Sequence, residues 1–263
     1  MPRGHHGDRV NGVLLLNKGE GASSNRELQT ARRLLNAAKA GHCGTLDPMA
    51  TGLLPLAFGE ATKFSADLLH ADKAYRAVAT LGVETDTGDR TGTVLKTHEV
   101  SVTLDEVKAA AAKLTGPIKQ VPPMYSALKR DGVALYRLAR QGETVEREPR
   151  LVTIYRFAIL SLDGNTVEME CVVSKGTYIR TLCHDIGEQL GCGGCMESLI
   201  RTRVSAFQIK DAKTLKEFGV DVQFVSSNQI LVKGHEKFAE VMSVSIPRFE
   251  MEFERRFLLL LVL

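Results

Sequence analysis

Residues 151–161 and 166–173 are two β-rich runs joined by Asp163-Gly164-Asn165. Gly and Asn tolerate the positive φ of a tight turn, so the runs are expected to pair as an antiparallel hairpin. A hairpin of this length commits the chain to a sheet, and the other elements have to be read around it.

Residues 10–17 (VNGVLLLN) read as a buried strand, followed by a glycine-rich turn through Lys18, Gly19 and Gly21. Ser24 with Glu27 three residues on has the form of a capping box and predicts a helix start. Leu28, Ala31, Leu35 and Ala38 then share one helical face, with Arg26, Arg32, Arg33 and Lys39 largely off it, facing solvent or a polyanion. Gly41–Gly52 (GHCGTLDPMATG) reads as a loop, before a short strand (LLPLAF), a helix over about 60–70 and a strand over 73–83. Thr103 and Glu106 predict a second capping box, on a helix that stops at Gly116-Pro117. QVPPMYSALKRDG is loop-like, residues 133–141 suggest a short helix, and Gly176-Thr177 precedes a helix ending at Gly191. Strands and helices mix without a regular βαβ alternation and without internal repeats, which predicts an α+β fold with a largely antiparallel sheet. Beyond about Lys213 the character changes, and residues 219–263 give no readable fold.

With 263 residues, 44% hydrophobic and 25% charged, the chain can build a core without disulfides or metals. A net charge of +3 does not by itself announce a nucleic-acid binder. Residues 1–10 are polar, without the apolar stretch of a secretory signal, and the run Phe257–Leu263 is too short to span a bilayer, so a cytoplasmic protein with no membrane partner is expected. The five cysteines are an odd set, and disulfides are not expected. Cys183-His184 followed by Cys192-x-x-Cys195 offers four potential ligands suited to zinc. Adjacent side chains diverge on a helix, however, and the C-x-x-C has no second copy, so buried or idle thiols are the favoured reading and no metal is expected.

Asp47 lies in the glycine-rich loop, before a proline that favours a turn or extended geometry. Locally it reads as an ordinary turn residue. The wider window changes this. GHCGTLDPMATGLLPLAFGEATKF, DKAYRAVATLGVETDTGDRTG, VPPMYSALKRDGVALYRLARQGE and SKGTYIRTLCHDIGEQLGCGG follow one another, and RTRVSAF follows more weakly. Together these segments resemble the TruB family of pseudouridine synthases over about residues 10–210.

The resemblance implies a pseudouridine synthase fold, α+β with a central, largely antiparallel mixed sheet flanked by helices and loops. It implies a catalytic domain over 1–212 and a C-terminal extension over 213–263, either a truncated or diverged remnant of a small RNA-binding PUA domain or something else. It implies conversion of uridine to pseudouridine at position 55 in the T-loop of tRNA, by base flipping, with no cofactor. The partner is the tRNA T-arm, with no obligate protein partner and a monomeric chain. Asp47 matches the nucleophile, attacking either ribose C1′ or base C6. Arg180 matches the arginine that pairs with it, where local reading alone gives a surface pair at a helix start. Tyr75 matches the tyrosine that stacks on the target base, against the alternative of a core tyrosine on a strand. His42 matches a wedge for the space of the flipped base, and Lys18 a lysine that supports the pocket or approaches phosphate. Tyr178 and Leu199 match pocket residues, and Lys129 and Arg140 belong to a basic stretch facing RNA.

Four positions depart from the family pattern: Gly19 for Pro, Cys43 for Thr, Cys195 for His, and Ile200 for Arg. Two rival readings are a catalytically silent tRNA-binding protein on the same scaffold and a zinc-dependent RNA-binding protein.

Overall fold

The computed structural model describes residues 7–220, 222–226 and 229–232, with side-chain surroundings for 7–218. The chain divides into two units, Met1–Ala71 with Arg201–Leu263, and Asp72–Ile200. Both boundaries fall within the stretch expected to form the catalytic domain, and most of the expected extension, residues 233–263, lies outside the described residues.

The first unit begins with β1 (Gly12–Lys18), α1 (Ser24–Leu34), β2 (Ala40–His42) and β3 (Thr51–Phe58). A 3-10 turn over Gly59–Phe64 leads into α2 (Ser65–His70), where the sequence predicted one continuous helix. β3 pairs antiparallel with β1, placing Lys18 opposite Gly52, and with β2, placing His42 opposite Leu56. Val13, Leu15, Leu53, Ala57, Leu68 and Val204 form its buried core together with Cys43.

Two expectations in α1 are corrected. The cap is Ser23, whose side chain accepts the Arg26 N–H at 3.2 Å. Ser24 is instead almost fully buried and turned toward the loop after β2. Two adjacent serines satisfy the same local pattern, and tertiary contacts decide which one caps. Arg32 is also turned inward, donating to the carbonyls of Ala37 and Ala38 at 2.9 Å each. It closes the chain after the helix rather than facing a polyanion.

The second unit contains β4 (Lys73–Leu81), β5 (Val83–Thr85), β6 (Val94–Thr97), α3 (Leu104–Lys113) and β7 (Gly116–Gln120). A small hairpin, β8 (Lys129–Arg130) with β9 (Val133–Ala134), precedes α4 (Leu135–Arg140). Then come β10 (Arg150–Asp163), β11 (Thr166–Val173), α5 (Ile179–Gln189) and β12 (Gly194–Val204), whose last residues carry the chain back into the first unit. β13 (Phe207–Gln208), a 3-10 turn, α6 (Leu215–Val220), β14 (Val222–Ser226) and β15 (Gln229–Val232) complete the described elements.

Within the second unit β4, β11, β10 and β7 pair in that order, all antiparallel. The expected hairpin is present, with Asp163 opposite Thr166 and Gly164 at φ 54° in the turn. Alternation is strict in β4 and β11, where Tyr75, Ala77, Ala79, Val167, Met169 and Cys171 are buried. α3 packs on β10 and α5, and α5 packs on β4, covering that face. The Thr103–Glu106 capping box forms in both directions. Its helix ends at Lys113, and Gly116-Pro117 opens β7, a strand the sequence did not announce. β12 was also unread, because it starts in a glycine cluster and carries two arginines in its alternation.

All five cysteines are free and buried. Among the described residues no group of three or more His, Cys, Asp or Glu is placed to hold a metal ion. Burial pushes the Cys171 thiol up to about 12, and it raises Cys183, Cys192 and Cys195 as well.

Candidate active site

In the first unit the segment between β2 and β3 carries Asp47, and side chains from distant parts of the sequence grip its main chain. Lys18, at the end of β1, is fully buried. Its ammonium donates to the carbonyls of Ala50 at 2.6 Å, Gly19 at 2.9 Å and Pro48 at 3.2 Å. Three N–H groups on three carbonyls exhaust what a lysine can donate. In this structure Lys18 therefore supports the loop.

Arg201, on β12, is 1% exposed. Its guanidinium reaches the Leu53 carbonyl at 2.8 Å, Gly44 at 3.0 Å and Thr45 at 3.4 Å. Gly52 lies so close beneath the Arg201 backbone, at φ +101°, that a Cβ there would overlap the Arg201 amide. Ser24 completes the grip: its hydroxyl accepts the Leu46 N–H at 2.8 Å and donates to the Leu46 carbonyl at 2.9 Å. Asp47 is thus flanked by residues whose main chain is fixed on both sides, and it is half-buried. Such pre-positioning is what a nucleophile needs if it is to meet one atom of a large substrate.

The electrostatics follow from two buried cations beside this loop. Burial pushes the Lys18 amine below its ordinary value, opposed by the charges of Glu27, Asp47 and Glu20. Burial also lowers the His42 imidazole, and the nearby positive charge of Arg201 lowers it further. His42 is therefore held neutral at neutral pH. Its Nδ1 is buried without a hydrogen-bond partner among the described residues.

In the second unit Arg180 occupies the second position of α5 and is buried. Its Nε lies 3.2 Å from Oδ2 of Asp89, and its Nη1 donates to the Thr87 carbonyl at 3.0 Å and the Tyr125 carbonyl at 3.4 Å. Asp89 is itself held by the Thr91 hydroxyl at 2.6 Å, the Thr91 N–H at 3.0 Å and the Thr87 hydroxyl at 2.9 Å. The polar turn TGDRTG is therefore a cradle for one guanidinium. Gln120 does similar work one step away: its side chain accepts the Tyr178 N–H at 2.8 Å and donates to the Tyr178 carbonyl at 3.1 Å. It thereby sets the start of α5.

Tyr75 sits on the buried face of β4, opposite Cys171 on β11, and is 9% exposed. Leu199 is buried on β12. Lys129 and Arg140 are exposed, on β8 and α4. The Arg140 guanidinium stands 5.4 Å from the centre of the Tyr136 ring, and Arg137 stands 6.0 Å from it.

The structure thus groups Lys18, His42 and Asp47 in one unit, and Tyr75, Tyr178, Arg180 and Leu199 in the other. Sequence reasoning missed Ser24 as a loop clamp, and it missed Arg201, Asp89 and Gln120 altogether. Asp89 and Arg201 lay inside segments that carried the resemblance, which was the one available signal. Of the departures, Cys43 is explained: the position is fully buried in an apolar core, which a thiol suits. Gly19 has open space around it, Cys195 is buried, and Ile200 is 36% exposed.

This arrangement defines a carboxylate in a rigid loop on an α+β scaffold, and comparison with known proteins gives it a family. The model of the TruB family pseudouridylate synthase N-terminal domain matches residues 32–179, and that of the tRNA pseudouridylate synthase B C-terminal domain matches 180–229. The tRNA pseudouridine synthase B of Aromatoleum aromaticum is 60% identical over 78% of this chain and 67% of its own length. That of Pseudomonas fluorescens is 55% identical over 79% and 68%. A chain in the crystal structure of a Cbf5-Nop10-Gar1 complex shares 30% identity with a TM-score of 0.64, over 82% of this chain and 54% of that longer one. The chain belongs to the TruB family of pseudouridylate synthases. Its α+β fold and its class, an RNA-modifying isomerase, agree with what the sequence led us to expect. Among the described residues no helix is long and apolar enough to cross a membrane.

Proposed function

We propose that this chain converts uridine to pseudouridine at position 55 in the T-loop of tRNA, with Asp47 as the nucleophile. The observation that carries the assignment is the main-chain grip on the Asp47 loop by Lys18, Ser24 and Arg201. A carboxylate so held is pre-positioned for one reacting atom, at either C1′ of the ribose or C6 of the base.

The reaction breaks the bond from N1 to C1′, turns the uracil, and joins C5 to C1′. A proton leaves C5 and one is gained at N1, so neither electrons nor atoms enter or leave, and no cofactor is called for. The base first has to leave its stack, at a cost of a few kcal/mol. His42, kept neutral, supports the open state as a wedge. Tyr75 and Arg180 act as the other catalytic residues, with Tyr75 against the flipped base. Tyr178 and Leu199 line the pocket, and Lys129 and Arg140 contact the T-arm backbone. The catalytic domain corresponds to residues 1–212, with 213–263 as an extension, and the chain acts as a monomer in the cytoplasm.

The test uses a tRNA transcript with either uridine or cytidine at position 55. Wild-type protein forms pseudouridine only in the first transcript, and Asp47→Ala forms none while still binding RNA. Activity retained by Asp47→Ala would remove the nucleophile assignment, and product at another uridine would remove the target.

A further inference from the structure

We infer that Ser24 is a positioning residue for Asp47, acting through the main chain of Leu46. This deepens the proposed function and rests on Asp47 being the nucleophile.

Ser24 is 1% exposed, and its hydroxyl makes both of its bonds to one residue, 22 positions away in sequence. It accepts from the Leu46 N–H at 2.8 Å and donates to the Leu46 carbonyl at 2.9 Å. A serine hydroxyl has one proton to give, and here that proton is committed to the peptide unit that joins Leu46 to Asp47. That peptide can neither flip nor slide without breaking a buried bond, and an unpaired buried polar group is costly. The other grips on the loop act farther from the carboxylate in sequence: Arg201 on Gly44 and Thr45, Lys18 on Pro48 and Ala50. Ser24 alone among these three holds the peptide whose carbon bonds to the Asp47 nitrogen. Helix capping does not account for it, since the neighbouring Ser23 performs that role from an exposed position.

The adjacent serines supply their own control. Ser23→Ala removes a helix cap and lowers thermal stability, with turnover unchanged at temperatures where the protein is folded. Ser24→Ala is expected to lower single-turnover kcat on the tRNA transcript on the order of 10- to 100-fold, the scale of a nucleophile displaced by an ångström or less. Its KM for tRNA stays within about twofold of wild type, since RNA-binding surfaces are untouched. Both variants are assayed well below their measured melting temperatures, beside wild type and Asp47→Ala. If Ser24→Ala turns over like Ser23→Ala, Ser24 is structural only and the inference is overturned. A rise in KM with kcat preserved overturns it equally, by assigning Ser24 to binding. If instead Asp47→Ala is active, the failure lies with the proposed nucleophile and not with Ser24.

Discussion

Asp89 and Arg180 form a buried ion pair, with Oδ2 and Nε 3.2 Å apart and side chains only 4% and 8% exposed. They are separated by most of the second unit in sequence and meet because β12 and α5 bring the polar turn against the helix start. Truncating one partner leaves the other charge buried without compensation. Asp89→Ala is expected to cost about 3–5 kcal/mol of stability, measured by urea unfolding. Asp89→Asn keeps the shape and several hydrogen bonds and should cost less than Asp89→Ala. Equal stability of Asp89→Ala and wild type would mean that the pair holds nothing together.

Gly52 makes a purely steric prediction. Its φ of +101° is strained for any side chain, and a Cβ would overlap the Arg201 main chain. Gly52→Ala is therefore expected to destabilise by more than the roughly 1 kcal/mol of an ordinary glycine replacement. Thermal denaturation beside Gly19→Ala, where the space is open, gives the comparison. Similar melting temperatures for the two variants would contradict the close approach of β3 to Arg201.

Asp185 makes the stability depend on pH. Burial, aided by the charge of Glu188, pushes its carboxyl up to about 6, against the pull of His184. The folded state then binds the proton more tightly than the unfolded state does, so this residue's contribution falls as pH rises from about 4 to about 6. Asp185→Asn should be more stable than wild type at pH 7 and should lose that advantage near pH 4. Urea titrations at the two pH values check the sign, and a difference that does not vary with pH would refute it.

The thiols give a chemical test. Cys171 is raised to about 12 and Cys183 is raised further by complete burial, so neither presents a thiolate at neutral pH. A disulfide reagent should label both only as fast as the protein unfolds, and rapidly in denaturant. Fast labelling of Cys171 in the native protein would show that the sheet face covered by α5 opens readily.

What could be read in the sequence, and what could not, divides by range. The β10–β11 hairpin and the Thr103–Glu106 box are local devices, complete within a few residues, and both appear as expected. The Ser23/Ser24 choice failed because both serines offer the same local chemistry, and only the loop 22 residues downstream decides between them. Arg201 reaches residues 148 to 157 positions away, and nothing near it in sequence marks it as a clamp rather than a surface charge. Asp47 itself was recognisable only through the order of distant motifs, since its surroundings read as a plain turn. Lys18 shows the same limit from the other side. Its position stands out in the sequence, but the three carbonyls that its amine holds appear only in the structure.

The hydrogen bonds by which Lys18, Ser24 and Arg201 grip the Asp47 loop all go to peptide groups. For those contacts the loop's path matters and the identity of its side chains does not. Cys43 in place of threonine illustrates this, since the carbonyls of Gly44 and Thr45 are held whichever residue precedes them. A change at an exposed loop position such as Thr45 is expected to leave the path intact, provided the remote serine, lysine and arginine remain, whereas Gly52 has no room for a side chain. The converse also holds: grafted onto another scaffold without those three, the same letters would lose the path that the loop takes here.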